Sequence, residues 1–480
     1  MTIEVRGADY VLPAGSVLAL SLQPGIRFEQ DGHVAGSITI AGTLSIIATP
    51  ADATIDSGIE AVTAAFFGDT GAARILIAPT GVLKMDAGAS LSALAGIDDN
   101  GAASFVNQGL IDIKTNANAM GAAIKDVGLP QSITGLNAGT IHVVSLAGAA
   151  QGLDIGTKVG GVVNTGTIDV SGFSGFQSAI GLHIFGPPPA ENDGQVFAHA
   201  LGAMPAVGVE FDISGTLNAS FTNAGLISSD ISLYVSSFPL GFTSATETMT
   251  ILNSGTMIGE IDLRPSDPAN TATLLTNTGT INGAIDFGRA NDTYDGRSGH
   301  ETGLISGGLG DDTLMGGAGF DNLQGNMGND SLSGGGGGDI VVGGKDDDHQ
   351  AGDDGNDVVW GNLGNDTLDG GAGADQVRGG QGDDVVNGGA GNDYVSGDRG
   401  NDTITGGAGA DLFHGSQDAG IDRVLDFNLG EGDRVMLDPG TTYTVSQVGS
   451  DTVIDMGAGN QMILVGVQMS TLTSGWIFEG

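Results

Sequence analysis

The sequence predicts an all-β chain built as a β-solenoid. An N-terminal parallel β-helix over 1–286 leads through a junction at 287–306 into a tighter parallel β-roll over 307–414, closed by a small β capping region over 415–480. Three observations carry that reading. From Gly307 to His414 the chain divides into twelve consecutive nine-residue units without insertion or deletion. Upstream, a five-residue signature, Asn-x-Gly-x-aliphatic, recurs at spacings of 24 to 31 residues. The 480 residues also include 86 glycines and 40% apolar residues but only 5% aromatic ones. Thin stacked layers of small aliphatic side chains suit that composition better than one thick core, and so large an apolar share argues against disorder.

Charge and residue usage exclude several functions. With 57 acidic residues against 15 basic ones the net charge is −42, which opposes binding to nucleic acid or to anionic membranes. The absence of cysteine removes disulfides, thiolate metal sites and cysteine nucleophiles. No stretch of 18 or more apolar residues occurs, so no membrane span is expected. The first residues carry Glu4 and Asp9 beside Arg6, and Pro13 and Gly15 interrupt the apolar stretch. They do not read as a secretory signal.

The longer repeat begins at Asn107, Asn137, Asn164, Asn192, Asn223, Asn253 and Asn277, with looser copies at Pro13, Ile40 and Pro79. Alternations such as Ile141-His142-Val143 and Ile168-Asp169-Val170 follow the signature and predict short strands with one buried face. The Asn-x-Gly supplies a turn, and stacked asparagines are expected to hydrogen-bond along the stack. A unit of about 27 residues stacking on its neighbour is a parallel β-helix, here of roughly ten rungs; a β-sandwich with coincidental turn spacing is the alternative. Gly186-Pro187-Pro188-Pro189 and 232–248 are expected to be loops. The region looks like the passenger β-helices of bacterial surface proteins and adhesins, which implies a structural or adhesive role. Residues 288–306 read as degenerate nine-residue units with Asp292 in the aspartate place.

In the twelve units, position 1 is always glycine, position 4 is glycine except at Asp346, and position 6 is always aspartate. Position 8 is Leu, Val, Ile or Phe except at Gln350. Glycines allow six residues to turn tightly, and the other three make a short strand with position 8 facing inward. Two units make one coil, so aspartates two units apart stack one strand spacing, about 4.8 Å, from each other. One column is Asp312, Asp330, Asp348, Asp366, Asp384 and Asp402; the other is Asp321, Asp339, Asp357, Asp375, Asp393 and Asp411. Carboxylates so close repel unless a cation lies between them, and carboxylates with turn carbonyls form the all-oxygen donor set that suits Ca²⁺. With 20 Asp and three basic residues in 108, the segment is expected to stay open until calcium folds it.

This pattern, GGxGxDxUx, resembles the hemolysin-type calcium-binding (RTX) nonapeptide family, whose repeats form a parallel β-roll. The resemblance implies the twelve aspartates as ligands and up to about ten bound Ca²⁺, with the sites flanking Asp348 in question because Asp346 and Gln350 depart from the pattern.

Beyond Asp411 the repeat decays. Val424, Leu425 and Phe427, and later Val453-Ile454-Asp455, read as strands that cover the open end of the roll. The tail, with its DRVLDF and DTVIDMG strings, resembles the C-terminal module of RTX exoproteins. That implies an uncleaved type I secretion signal within 415–480, the type I secretion apparatus as a partner, and a secreted, extracellular location, in part at the cell surface. An isolated capping role is the alternative.

No catalytic motif is complete in the sequence. His300-Glu301 lacks the second histidine of a zinc protease, and Gly172-Phe173-Ser174-Gly175-Phe176 fails as a nucleophile elbow. Asp346-Asp347-Asp348 is not an EF-hand. Arg27, Arg74, Lys84, Lys114, Lys125, Lys158, Arg264 and four histidines read as scattered over the β-helix. The sequence therefore favours a non-enzymatic, secreted calcium-binding repeat protein with a structural role in adhesion, a biofilm matrix or a surface layer. Its partners are calcium and a cell-surface glycan or surface protein. A β-helix polysaccharide enzyme, similar to alginate epimerases or lyases carrying an RTX module, is the alternative.

Overall fold

The computed structural model describes residues 271–417 and 420–480 continuously. Within 3–264 it describes the strands and most of the tight turns joining them. The chain divides into two units, 1–268 and 269–480. Each is built mainly of short parallel strands, and the described chain contains no α-helix. Pro13, 186–189 and 237–246 lie outside the described residues. Of the expected loop at 232–248, the flanks belong instead to the strands Leu226–Ser236 and Glu247–Asn253.

In the first unit most rungs supply three strands. Ile133–Asn137, Thr140–Ser145 and Ala150–Gly156 are one set, and each strand pairs in parallel with its counterpart one rung along. Alternation sends every second side chain inward. Ile111, Ile141, Ile168, Val196, Ile227 and Met257 thus form one fully buried file along the stack. A second file runs Leu153, Leu182, Val209, Leu233 and Ile261. These files replace a thick aromatic core, as the composition implied.

The Asn-x-Gly corners hold the rungs in register. Asn107, Asn137, Asn164, Asn192 and Asn223 each donate through Nδ2 to the Oδ1 of the next asparagine at 2.7 Å, ending on Asn253. All six are fully buried. The glycine of the signature is needed for space rather than for torsion: a Cβ on Gly166, Gly194 or Gly225 would collide with the carbonyl oxygen of the signature glycine one rung before.

In the second unit the strands form two rows. One runs Asn322–Met327, Ile340–Lys345, Val358–Leu363, Gln376–Gln381, Tyr394–Arg399. The other runs Thr313–Met315, Ser331–Gly337, His349–Gly355, Thr367–Asp369, Val385–Ala390, Thr403–Ala408. All twelve position-8 side chains are buried, Gln350 included; its Nε2 donates to the carbonyl oxygen of Trp360 at 2.8 Å. Beyond the roll, Ile421–Val424 lies between Thr403–Ala408 and Asn460–Leu464. The latter closes an antiparallel sheet with Asp451–Gly457 and Thr444–Val448. Leu425, read as part of a strand, falls just outside one and is exposed. Phe427 packs between Phe413 and Trp476.

Candidate metal centre

The turn geometry explains which residues the nine-residue unit tolerates. Position 4 adopts positive φ in ten of the twelve units, from +76° at Asp346 to +152° at Gly391. Position 2 does the same in eleven, and its non-glycine occupants are Asn326, Asp353, Asn362 and Asp398. Asparagine and aspartate are the residues that enter the left-handed region at least cost, so position 2 carries a restriction that the pattern-reading missed. Position 1 is glycine for another reason: a Cβ on Gly325, Gly361 or Gly397 would strike Oδ2 of the aspartate five residues on.

The structure stacks the aspartates as two columns. Except at the last of each column, the backbone N–H donates to Oδ1 of the aspartate 18 residues on, as from Asp312 to Asp330, Asp330 to Asp348 and Asp348 to Asp366, each at 2.8 Å. The second column repeats this from Asp321 to Asp339, Asp339 to Asp357 and Asp357 to Asp375, at 2.7 to 2.8 Å. One carboxylate oxygen per residue is thereby satisfied. The other, Oδ2, is buried without any hydrogen-bond partner in Asp312, Asp330, Asp339, Asp348, Asp357, Asp366, Asp375, Asp384, Asp393, Asp402 and Asp411. Asp321 differs, because its Oδ2 accepts the N–H of Gly317 at 2.7 Å.

Eleven buried anionic oxygens without donors form an unfavourable arrangement for a chain with no cation. Burial pushes these carboxyls up: Asp312 and Asp348 to about 8, Asp384 to about 7, and Asp330, Asp339, Asp357, Asp366, Asp393, Asp402 and Asp411 to about 6. Hydrogen bonds from the preceding rung's N–H act in the opposite direction, and neighbouring aspartates add repulsion in most of them. The residues fit a hard divalent cation held by carboxylate and carbonyl oxygen. Among the described residues no three His, Asp or Glu side chains converge on one point, so a cation in the columns would be held by paired carboxylates together with turn carbonyls. At the questioned unit, Asp346 takes φ +76° and Asp348 keeps both its stacking bonds, so the turn survives its two departures.

The columns extend beyond the twelve units. Asp292 donates its N–H to Asp312 at 2.7 Å, as its place in the degenerate repeats suggested. Asp402 donates to Asp422 at 3.3 Å and Asp411 to Asp433 at 3.0 Å. These last two were missed because insertions stretch the interval to 20 and 22 residues.

On the β-helix, three of the four histidines stack on an aspartate one rung earlier: His142 on Asp112 at 3.0 Å, His183 on Asp154 at 2.9 Å and His199 on Asp169 at 3.7 Å. His33 lies outside the residues whose side chains are described. Register places Asp154, His183, Glu210, Tyr234 and Asp262 in one row, and Arg264 forks onto Asp262 and reaches Glu260 at 3.1 Å. Unequal rung lengths hid this row from the sequence.

Comparison with known proteins agrees with the geometry over the roll. The RTX calcium-binding nonapeptide repeat, in four copies, matches 306–341, 342–377, 351–386 and 387–421. The chain is also similar to the solution structure of the AlgE6R3 subunit from the Azotobacter vinelandii mannuronan C5-epimerase, at 26% identity over 28% of this chain and 78% of that one, with a TM-score of 0.20. The search of curated proteins found no match. The family match shows that the chain carries RTX calcium-binding repeats within 306–421, with calcium as the cofactor of this segment. No described helix is long and apolar enough to cross a membrane.

Proposed function

We propose that this calcium-binding RTX chain is a secreted repeat protein whose roll folds when it meets calcium outside the cell, and whose β-helix performs structural or adhesive work. One observation carries the reading: eleven of the twelve repeat aspartates bury an Oδ2 that nothing in the protein satisfies. A bound Ca²⁺ supplies positive charge between stacked carboxylates, which the chain's own residues do not provide. At low cytosolic calcium the segment, net −17 in 108 residues by 20 Asp against three basic residues, stays open by self-repulsion. Extracellular calcium modules bind with Kd of about 10⁻⁴–10⁻³ M, a range suited to switching at export. The twelve column aspartates are the proposed ligands, Asp321 the weakest of them because Gly317 already occupies its second oxygen. Far-UV circular dichroism in calcium and in chelator tests the fold switch; identical spectra would sink it. Removing about the last fifty residues tests the export signal, and continued export of the truncated chain would refute it.

The row Asp154–His183–Glu210–Tyr234 favours a second reading, a polysaccharide-active β-helix. Asp154 Oδ1 lies 2.9 Å from Nδ1 of His183 and fixes the orientation of the ring. Burial and the charges of Asp262 and Glu210 keep the Tyr234 phenol protonated. A base and an acid on one face can move protons on a sugar ring. Turnover of any member of a panel of neutral and uronic-acid polysaccharides, lost in His183→Ala, would establish it.

A further inference from the structure

The two aspartate columns end differently, and the difference exposes a site outside the repeats. At one end, both oxygens of Asp292 accept backbone N–H groups, from Thr273 at 2.6 Å and Gly288 at 3.3 Å. Asp433, which closes the second column, is equally satisfied: Oδ1 accepts from Asp411 and Oδ2 from Asn428 at 2.7 Å. Asp422, which closes the first, is not. It is 1% exposed, its Oδ1 accepts the N–H of Asp402, and its Oδ2 has no partner.

The turn around Asp422 copies the repeat in spite of its insertion. Gly420 takes φ +92° in the place where the repeats carry a positive-φ glycine, and it bridges in parallel to Gly400, whose φ is +144°. Val424 occupies the buried aliphatic place two residues after the aspartate. The N–H of Asp402 donates to Oδ1 of Asp422 at 3.3 Å, the bond that stacks the column aspartates elsewhere. Both of their unpartnered oxygens are buried.

We propose that Asp402 and Asp422, with the carbonyls of the Gly400 and Gly420 turns, form a further calcium site, and that this ion fastens the C-terminal segment to the roll. The proposal rests on the calcium reading of the columns. The strand that follows Asp422, Ile421–Val424, is the seam between the two parts. It pairs with Thr403–Ala408 on one edge and Asn460–Leu464 on the other. Asn460 Oδ1 accepts the N–H of Gly420 at 2.9 Å, and the N–H of Gln461 donates to the Gly420 carbonyl at 2.7 Å. Repulsion between two buried carboxylates at this seam opposes docking of the antiparallel sheet; one divalent cation removes it.

The test uses the full chain carrying Trp360→Phe, which leaves Trp476 as its one tryptophan. Trp476 packs on Phe427 at the end of the roll, so its fluorescence reports docking of the C-terminal segment. Calcium bound at saturation is counted by equilibrium dialysis for this protein, for Asp422→Asn and for Asp433→Asn. Asp422→Asn should bind one ion fewer and shift the Trp476 transition to about threefold higher calcium or more, with the circular-dichroism transition of the roll unmoved. Asp433→Asn should keep the full count. An undiminished count in Asp422→Asn, with an unmoved Trp476 transition, means that the two carboxyls share a proton only and overturns the site while leaving the calcium reading intact. No calcium uptake by the parent protein would overturn both. In the unaltered protein, hydrogen exchange at 420–424 and 460–464 should slow as calcium is added; protection there without calcium would also overturn the site.

Discussion

Two corners of this molecule address one structural problem with side chains that differ by a single group. In the β-helix, Asn107 to Asn253 form a ladder in which each amide both donates and accepts, so every rung satisfies the next at 2.7 Å. In the roll, aspartates take the stacking place and can only accept. Oδ1 is used by the neighbouring N–H, and Oδ2 is left buried. An NH₂ exchanged for an O⁻ converts a self-sufficient ladder into one that requires a cation. Calcium dependence need not reside in a distinct fold; it follows from the donor count of the stacked side chain.

The largest effect expected from this contrast is a pH response confined to the roll. The column carboxyls have folded-state values raised to about 6–8, above the ordinary aspartate value near 3.9. Between those limits the folded, calcium-free roll binds more protons than the unfolded chain, so its stability falls as pH rises and is recovered on acidification. Each such group contributes up to about 1.4 kcal/mol per pH unit. In chelator, lowering pH from about 8 to about 4.5 should restore β-structure in 307–414; a flat circular-dichroism signal would contradict the burial of these oxygens.

A direct exchange of the two chemistries comes next. Asn164→Asp removes the donor to Asn192 and sets a carboxylate in a fully buried ladder, which should destabilise the β-helix by about 3 kcal/mol. The reverse exchange, Asp366→Asn, keeps the acceptor for Asp348 while removing a charge. It should lower the number of ions bound and raise residual structure in chelator. Urea unfolding followed by hydrogen exchange in each region measures both, and equal calcium dependence of the two variants would remove the distinction.

The smallest effect concerns Asp346, the one non-glycine at position 4. Its φ of +76° costs an L-residue about 1 kcal/mol, so Asp346→Gly should raise the calcium-loaded midpoint slightly. A drop would show that the Asp346 carboxylate takes part in binding.

The distribution of what the sequence revealed follows from spacing. The twelve aspartates were legible because a period of nine with no insertion assigns each residue a place. The asparagine ladder was legible from its repeated Asn-x-Gly, although the steric reason for the glycine, the carbonyl of the preceding rung, needed coordinates. Asp422 and Asp433 escaped because two- and four-residue insertions moved them off the period. The row through His183, Glu210 and Tyr234 escaped because rungs of unequal length place neighbours in space at irregular intervals in sequence. Asp321 looks identical to its eleven counterparts in sequence, and only the Gly317 hydrogen bond sets it apart.

The central claim is that calcium is required where the stacked residue is aspartate and not where it is asparagine. Hydrogen exchange of the full chain, resolved by peptide and compared in calcium and in chelator, tests this most directly. Peptides from 307–414 should lose protection in chelator while those spanning Asn107 to Asn253 keep theirs. Equal loss in both regions, or none in either, would contradict it.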